Sequence, residues 1–339
     1  MKGTTPDGRT REMPMFDITA IGEVLIDFTP EGTAGNGVLL LQRNPGGAPA
    51  NALAMASRWG CETAFIGKAG ADVFGVFLRD VLEENAIDVS GLVLDPAYPT
   101  TLAFVHIDPK GERSFTFYRN PGADIMLAPG EVDSGLIERG RILHFGAVCL
   151  SGGPSREATL EAARLAATTG KTVSFDVNYR PPLWENEVEA RSVILRALSL
   201  AHVLKVSLEE AELLTGTADY REAARALAAS GPLAVLVTMG ERGAYFQTPA
   251  GDGHCPAYAV PVTDTTGAGD AFTGTILARL AGCLRQGRNI SSITRREWED
   301  MVDEACCAGS LATTCKGGIN AMPDPATVAR LRKEGRRIP

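Results

Sequence analysis

Asp264-Thr265-Thr266-Gly267-Ala268-Gly269-Asp270-Ala271-Phe272 is the stretch on which the reading of this chain turns. Two glycines flank an alanine, an acid follows at once, and an apolar run continues through Thr273-Gly274-Thr275-Ile276-Leu277. Residues this small let a backbone turn sharply into a helix and let a ligand approach its amides. The first N–H groups of a helix have no intrahelical partner, and the dipole there favours anions. The pattern suits a phosphate in transfer, with Asp270 as the base that deprotonates an acceptor. It suits equally an acidic cap behind a Gly-rich turn, and local chemistry does not separate the two.

The sequence leading up to this stretch alternates. Apolar runs at Ile142–Phe145, Thr172–Val177, His202–Val206 and Ala234–Thr238 read as strands. Helical patterns lie between them at 155–169, 187–200, 208–214 and 220–229. The strands show little polar alternation, as expected where both sheet faces are covered. Strand–helix alternation predicts a parallel α/β sheet. Further upstream, Ile18–Phe28 and Ala64–Gly67 read as strands, and 51–59 and 74–85 as helices. After the motif, 296–313 is predicted helical, with Ala305, Ala308, Leu311 and Ala312 toward the core.

Residues 100–119 differ. Thr101–Ile107 and Ser114–Tyr118 flank Asp108-Pro109-Lys110-Gly111-Glu112, a hairpin signal with no helix between its strands. This pair is predicted to be antiparallel and to stand apart from the main sheet. In open parallel sheets, ligands sit beyond the carboxyl ends of the strands. That rule gathers Asp27, Asn178, Arg180, Lys205, Ser207 and Thr238 on one rim, with the 264–270 loop.

Composition narrows the class. The 339 residues are 45% hydrophobic and 22% charged, as in soluble globular proteins, and the net charge of −8 argues against nucleic acid or an anionic membrane as partner. Seven scattered cysteines without a Cys-x-x-Cys spacing suggest free thiols in a reducing cytoplasm. Neither they nor the four histidines cluster as zinc ligands. No run approaches the roughly 20 apolar residues of a membrane span. Residues 1–15 read as a loose tail, and 331–339 as a basic one. The signatures of Walker phosphate loops, dinucleotide-binding turns and serine-hydrolase elbows are all missing.

Several motifs have two local readings. Gly46-Gly47-Ala48-Pro49-Ala50-Asn51 offers close backbone approach and an amide side chain at a helix start, where Asn51 is also a plain N-cap candidate. Arg180, followed by two prolines, suits a phosphate or hydroxyl-rich ligand, or alternatively caps a helix or pairs with Asp176. Glu209 and Glu210 open a helix, where acids are common for dipole reasons. Thr238-Met239-Gly240-Glu241-Arg242-Gly243 reads as a hairpin turn or a nucleotide-phosphate loop, the turn being favoured locally.

Together these pieces resemble the ribokinase-like, or PfkB, family of sugar and nucleoside kinases, over about residues 16–330. Two signatures carry the resemblance: Gly46–Asn51 running on to Gly67-Lys68-Ala69-Gly70-Ala71-Asp72-Val73-Phe74-Gly75, and Asp264–Phe272. Within the family the chain is most similar to fructokinases, through Gly22–Phe28, Gly111–Arg113 with Phe117–Asp124, Asp176–Arg180 with Leu183-Trp184, and Lys205-Val206-Ser207 before Glu210. Kinases of 2-keto-3-deoxygluconate are the nearest rival. A catalytically idle sugar-binding regulator on the same fold is the alternative of a different class.

The resemblance implies an α/β, ribokinase-like fold: one domain with a central, mostly parallel sheet flanked by helices. A small antiparallel β lid is expected near 29–44 and 100–122. It implies an ATP-dependent sugar kinase with Mg2+, acting on a primary hydroxyl, and a homodimer formed through the lid. Asp27, Gly46, Gly47, Asn51 and Arg180 would hold the sugar. Lys205, Ser207, Glu210, Thr238, Gly240 and Gly243 would serve ATP, with Glu210 acting indirectly on Mg2+. Gly267, Ala268 and Gly269 would form an anion hole and Asp270 the base. Asp264, Thr266, Ala312, Cys315 and Gly317 match the positions where family members hold a monovalent cation such as K+. Two positions depart from the family: Ser207 stands where Asn is usual, and Lys316-Gly317-Gly318 where Lys-Gly-Ala is commoner. Phe104, Phe115 and Phe117 are lid candidates for facing the sugar, and strand alternation alone does not choose among them.

Overall fold

The computed structural model describes residues 2–4, 10–12, 15–107 and 113–338. The chain begins with a short antiparallel pair, β1 (Lys2–Thr4) and β2 (Thr10–Glu12), within the segment expected to be a loose tail. Then come β3 (Phe16–Ile21), β4 (Leu25–Thr33) and β5 (Leu39–Gly46), followed by helix α1 (Ala48–Arg58). β6 (Thr63–Gly70), α2 (Val73–Glu84) and β7 (Ile87–Asp95) lead to the hairpin β8 (Leu102–Ile107) and β9 (Arg113–Tyr118). The expected turn at 108–112 lies outside the described residues.

The alternating region holds α3 (Ser134–Arg139), β10 (Gly140–Gly146), α4 (Gly153–Thr168), β11 (Thr172–Asp176), α5 (Glu187–Leu198) and β12 (Val203–Ser207). It continues with α6 (Leu208–Thr215), α7 (Tyr220–Ala229), β13 (Ala234–Thr238), β14 (Ala244–Thr248) and β15 (Gly251–Cys255). The chain closes with α8 (Ala268–Arg285), α9 (Arg295–Ala312) and α10 (Pro325–Glu334).

Nine strands form the main sheet, in the order β15-β14-β13-β12-β11-β10-β3-β6-β7. From β7 to β13 every pairing is parallel, and only β14 and β15 add antiparallel neighbours. The parallel strands are buried along nearly their whole length because helices cover both faces. One core cluster packs α1, α2, α8 and α9 on one side, and a second packs α4 to α7 on the other. Ala305, Ala308 and Ala312 of α9 are fully buried, while Leu311 packs at the margin.

The predicted strand Ile18–Phe28 is in fact two strands in two sheets. The break falls at Gly22-Glu23-Val24, which the apolar run conceals. A Cβ at Gly22 would stand 2.6 Å from the Pro49 ring, and the buried Glu23 carboxylate accepts from the Ala48 amide at 2.9 Å. These contacts bend the chain out of the main sheet and into the small one. The 29–44 stretch, expected as part of the lid, thereby supplies the rest of β4 and most of β5.

The small sheet runs β5-β4-β8-β9. Its outer pairs are antiparallel, and β4 joins β8 in parallel. Arg119 anchors it at the end of β9: the guanidinium is buried against Asp124, with Nε 2.8 Å from Oδ2 and Nη1 2.8 Å from Ser151 Oγ. The segment expected to be a basic tail from residue 331 is instead docked. α10 runs across that boundary, and Arg337 forms a bridge with Tyr258.

Candidate active site

The site is assembled where α8 begins. Gly267 takes φ of 79°, a left-handed conformation natural to glycine, and turns the loop into the helix. Ala268, Gly269 and Asp270 form the first turn. Asn51 is not a cap: it lies inside α1, whose cap is Gly47, and its Nδ2 donates to Asp270 Oδ2 at 2.7 Å. Its Oδ1 is buried with no partner among the described residues. Asp270 accordingly does more than cap a helix. Burial pushes its carboxyl to about 6, against the Asn51 hydrogen bond, with Asp176 adding repulsion and Lys205 and Arg180 opposing it.

Lys205 is placed by sheet register. Asp176 and Lys205 are partners on adjacent parallel strands, at their carboxyl ends. Lys205 Nζ donates to Asp176 Oδ1 at 3.0 Å, and Thr273 Oγ1 of α8 donates to Asp176 Oδ2 at 2.9 Å. A Cβ on Gly269 would sit 3.1 Å from Lys205 Nζ, so the ammonium lies against the first turn of α8. Burial alone would lower this lysine, but Asp176, with Glu210 and Asp270, holds it above its usual range. It is a fixed cation beside the first-turn amides of α8. Sequence reasoning had Asp176 only as a rival partner for Arg180 and missed Thr273 altogether.

On the other flank stands the small sheet. Asp27 on β4 is opposite Asn44 on β5 and Ala103 on β8, and Ala103 is opposite Phe117 on β9. Asp27, Asn44, Ala103, Phe115 and Phe117 therefore share one face. Phe28, Phe104 and Tyr118 share the other, where Phe28 meets Phe74 of α2. Of the three phenylalanines among which strand alternation did not choose, register thus puts Phe115 and Phe117 on the Asp27 face and Phe104 on the other. Asp27 is not at a strand end of the main sheet, as the rim argument supposed. Burial pushes its carboxyl to about 7, with Arg180 opposing and Asp270 and Asp264 reinforcing the rise. A Cβ at Gly46 would lie 2.2 Å from Asp27 Oδ2, and one at Gly47 would lie 2.4 Å from the Glu23 carbonyl. Both glycines are spaces that the acid and the hinge require.

Arg180 is partly exposed just beyond β11 and donates to the Tyr179 carbonyl at 3.2 Å. Among the described residues it makes no ion pair, and Asp176 is taken by Lys205. Asn44 is a further residue that sequence reasoning missed. It is buried, its Nδ2 donates to Thr29 Oγ1 at 2.8 Å, and its Oδ1 is unpartnered among the described residues.

A cavity of about 710 Å³ opens from the start of α8. Ala268, Gly269 and Phe272 line it, as do Thr238, Gly240 and Gly243. Thr238 ends β13 and the two glycines belong to the turn that joins it to β14, so the segment is a hairpin turn that also walls the cavity. Lys205, Ser207 and Glu210 do not line it. Ser207 caps α6 in a capping box, accepting from the Glu210 amide at 3.2 Å. Glu210 accepts from the Ser207 and Tyr179 amides, each at 2.7 Å. Tyr179 is presented by Asn178, whose φ is 40°. Both Glu210 oxygens thus hold backbone, and burial raises this carboxyl, opposed first by Lys205.

Asp264 is buried behind the loop. Its Oδ1 accepts from the Thr266 amide at 2.7 Å and its Oδ2 from the Gly317 amide at 3.3 Å. These three positions come together. The Ala312 carbonyl accepts from the Cys315 amide at 3.5 Å, and the Cys315 side chain is exposed.

An acid raised to about 6, a fixed ammonium and the first turn of a helix converge between a roomy cavity and a polar sheet face. Fold and site together put the protein among enzymes that transfer a phosphoryl group to an alcohol. The chain belongs to the pfkB family of carbohydrate kinases, whose family model matches residues 15–325. It is 38% identical over 325 residues to probable fructokinase-4 of Arabidopsis thaliana, covering 93% of this chain and 96% of that protein. A fructokinase from Xylella fastidiosa, solved with bound ATP, superposes with a TM-score of 0.85 at 32% identity, covering 94% of this chain and 98% of that one. A double mutant of fructokinase from Vibrio cholerae O395, solved with fructose, ADP and potassium ion, superposes with a TM-score of 0.83 at 34% identity, covering 94% and 99%.

Proposed function

We propose that the protein is an ATP-dependent fructokinase of the cytoplasm. The observation that carries this reading is the pairing of Asp270 with Asn51 at the start of α8, between the cavity and the Asp27 face. Nucleotide would occupy the cavity with its phosphates toward Ala268 and Gly269. Fructose would lie between Asp27, Asn51 and the lid face, with Arg180 beside it. The unpartnered Oδ1 atoms of Asn44 and Asn51 are acceptors suited to sugar hydroxyls. Asp27, ionised, accepts from others and fixes which hydroxyl meets the phosphoryl group.

Asp270 takes the proton of the primary hydroxyl as its oxygen attacks phosphorus. The bond to the leaving ADP oxygen breaks as the new one forms. Lys205 and the amides at 267–269 offset charge on the phosphoryl oxygens, which is most of the catalysis available to this chemistry. The small sheet, hinged at 22–24 and anchored by Arg119, excludes water when closed. Six of the seven cysteines are buried free thiols, in keeping with a reducing compartment.

Magnesium would ride on the nucleotide phosphates, where it neutralises charge. Glu210 does not fit as a direct ligand, because both its oxygens hold amides, so its part is indirect. A monovalent cation would be held by backbone oxygens at Asp264, Thr266, Ala312, Cys315 and Gly317, a set of hard donors behind the anion hole, since both side-chain oxygens of Asp264, like those of Glu210, already hold amides. A homodimer through the lid is supported by edge strand β5, where Leu39, Leu40 and Leu41 are 57%, 47% and 40% exposed, with Val38 just before it 56% exposed. A run of exposed apolar residues on an edge strand favours pairing with a second copy.

The test is ADP release measured with fructose, ribose, 2-keto-3-deoxygluconate and nucleosides in turn. Fructose is expected to give the highest kcat/KM. A higher value for another sugar reassigns the substrate, and no release with any of them leaves a sugar-binding regulator.

A further inference from the structure

The cavity is walled in part by the last described residues of the chain. Ile338 lines it together with Ala257, Tyr258, Val260 and Val262. The 257–259 segment is held from outside by a strap of three residues. Ala259 N donates to the Arg336 carbonyl at 2.9 Å, and Ile338 N donates to the Ala257 carbonyl at 2.8 Å. Between these bonds Arg337 pairs with Tyr258 as an antiparallel bridge.

Side chains lock the strap. The Arg337 guanidinium lies 4.3 Å from the centroid of the Tyr258 ring and forms an ion pair with Asp303 of α9. The Tyr258 hydroxyl also reaches Asp303, at 3.3 Å, and its amide donates to Ser310 Oγ at 3.1 Å. Just upstream, Arg332 of α10 is paired with Asp300, Asp303 and Glu304. Three turns of α9 therefore hold α10 and the strap against the 257–259 wall.

The chemistry of the wall indicates which end of a nucleotide it meets. Ala268 and Gly269 present helix amides, which suit phosphate. Ala257, Val260, Val262 and Ile338 present side chains without donors or acceptors, which suit the flat face of a heterocyclic base. We infer that residues 336–338 are a strap closing the base end of the nucleotide pocket, and that Ile338 and Arg337 set the affinity for the nucleotide. This rests on the reading of the cavity as the nucleotide site. Ile338 acts by touching the base. Arg337 is a positioning residue that acts through Tyr258 and the 257–259 wall.

The experiment uses the full chain with Ile338→Trp, Ile338→Ala and Arg337→Ala. Calorimetric Kd for ADP is measured beside KM for ATP and KM for fructose. Ile338 is only partly buried, so a larger residue there fills the cavity rather than disturbing the core. Ile338→Trp is expected to weaken ADP at least ~tenfold, and Ile338→Ala by ~3–10-fold through lost apolar contact. Arg337→Ala is expected to weaken ADP by a similar factor as the wall loosens. KM for fructose should stay within about twofold in all three, a split that general destabilisation does not produce.

Equal ADP affinity in all four proteins overturns the inference, and so does a matching rise in both KM values. A wild-type chain that binds ADP but phosphorylates no sugar overturns the fructokinase reading and leaves the ADP comparison decisive for the strap. A wild-type chain that binds no ADP overturns both.

Discussion

Asp270→Asn should make the protein inactive and more stable at the same time. The carboxyl is raised from 3.8 to about 6, mainly by burial. The unfolded chain therefore ionises at lower pH than the folded one, and rising pH favours unfolding. The penalty is absent below pH 3.8, grows between there and about 6, and is complete above it. A rise of one pH unit in a pKa corresponds to about 1.4 kcal/mol, so the ionised Asp270 costs at most about 3 kcal/mol at pH 8, and solvent contact trims this toward about 1. The asparagine that replaces it carries no charge and can still accept from Asn51. At roughly 2 cal/mol/K per residue, unfolding entropy converts this gain to a Tm rise of about 1–4 °C. Turnover should fall by ~10²–10⁴, because a positioned base is lost. The assays are coupled ADP release and thermal melts at pH 8 and pH 4, with calorimetry to show that ADP still binds. The Tm gain should vanish at pH 4. Near-normal turnover would refute the base, and a lower Tm at pH 8 would refute the electrostatic account.

The wild-type kcat/KM for fructose should fall at least ~tenfold from pH 8 to pH 5, because Asp270 at about 6 and Asp27 at about 7 must both be ionised. A profile flat down to pH 5 contradicts this. Gly46→Ala puts a Cβ 2.2 Å from Asp27 Oδ2, so the acid must move. KM for fructose should rise at least ~tenfold while ADP binding, followed by calorimetry, is unchanged. Lys205→Met removes the cation beside Gly269 and should lower kcat by ~10²–10³ in steady-state assays. Arg119→Met leaves Asp124 buried without its ion pair, at a cost of about 3–5 kcal/mol, and a Tm drop of about 4–7 °C should appear in melts.

Asp270 and the small residues before it were legible because the chemistry is local: amides, a turn and an acid lie within four residues. The strand-end rule put Lys205 on the rim but only resemblance gave it a role, because its anchor Asp176 is 29 residues away and becomes a neighbour through parallel register. Thr273 looked like one more small residue in an apolar helix. The hinge at Gly22-Glu23-Val24 stayed hidden because apolar residues resume at Val24-Leu25-Ile26 directly after Gly22-Glu23, while sheet membership is decided by Pro49 and Ala48 across the fold. β7 and β15 are the two edges of the main sheet, β14 lies just inside β15, and none of the three was read as a strand. β7 carries Asp88 and Ser90, and β15 is Gly-Asp-Gly-His-Cys, so neither shows a buried-strand pattern. The Gly67–Gly75 signature helped to name the family, yet its residues are scaffold: Lys68 pairs with Asp95 and Glu131, and Asp72 caps α2.

The site is built against its own stability. Asp27, Asp176, Glu210, Asp264 and Asp270 gather around two cations, Lys205 and Arg180, and the uneven balance appears in the raised carboxyls of Asp27, Glu210 and Asp270. A carboxyl left at 3.8 would be a weaker base near neutral pH, since a good base has its pKa close to the working pH. Burial of Asp270 strengthens it as a base, and Asn51 and Lys205 limit the rise so that the ionised form persists. Were Asn51 changed to Leu, that brake would go and Asp270 would titrate higher. The same displacement that makes Asp270 useful is what its replacement by asparagine should return as stability.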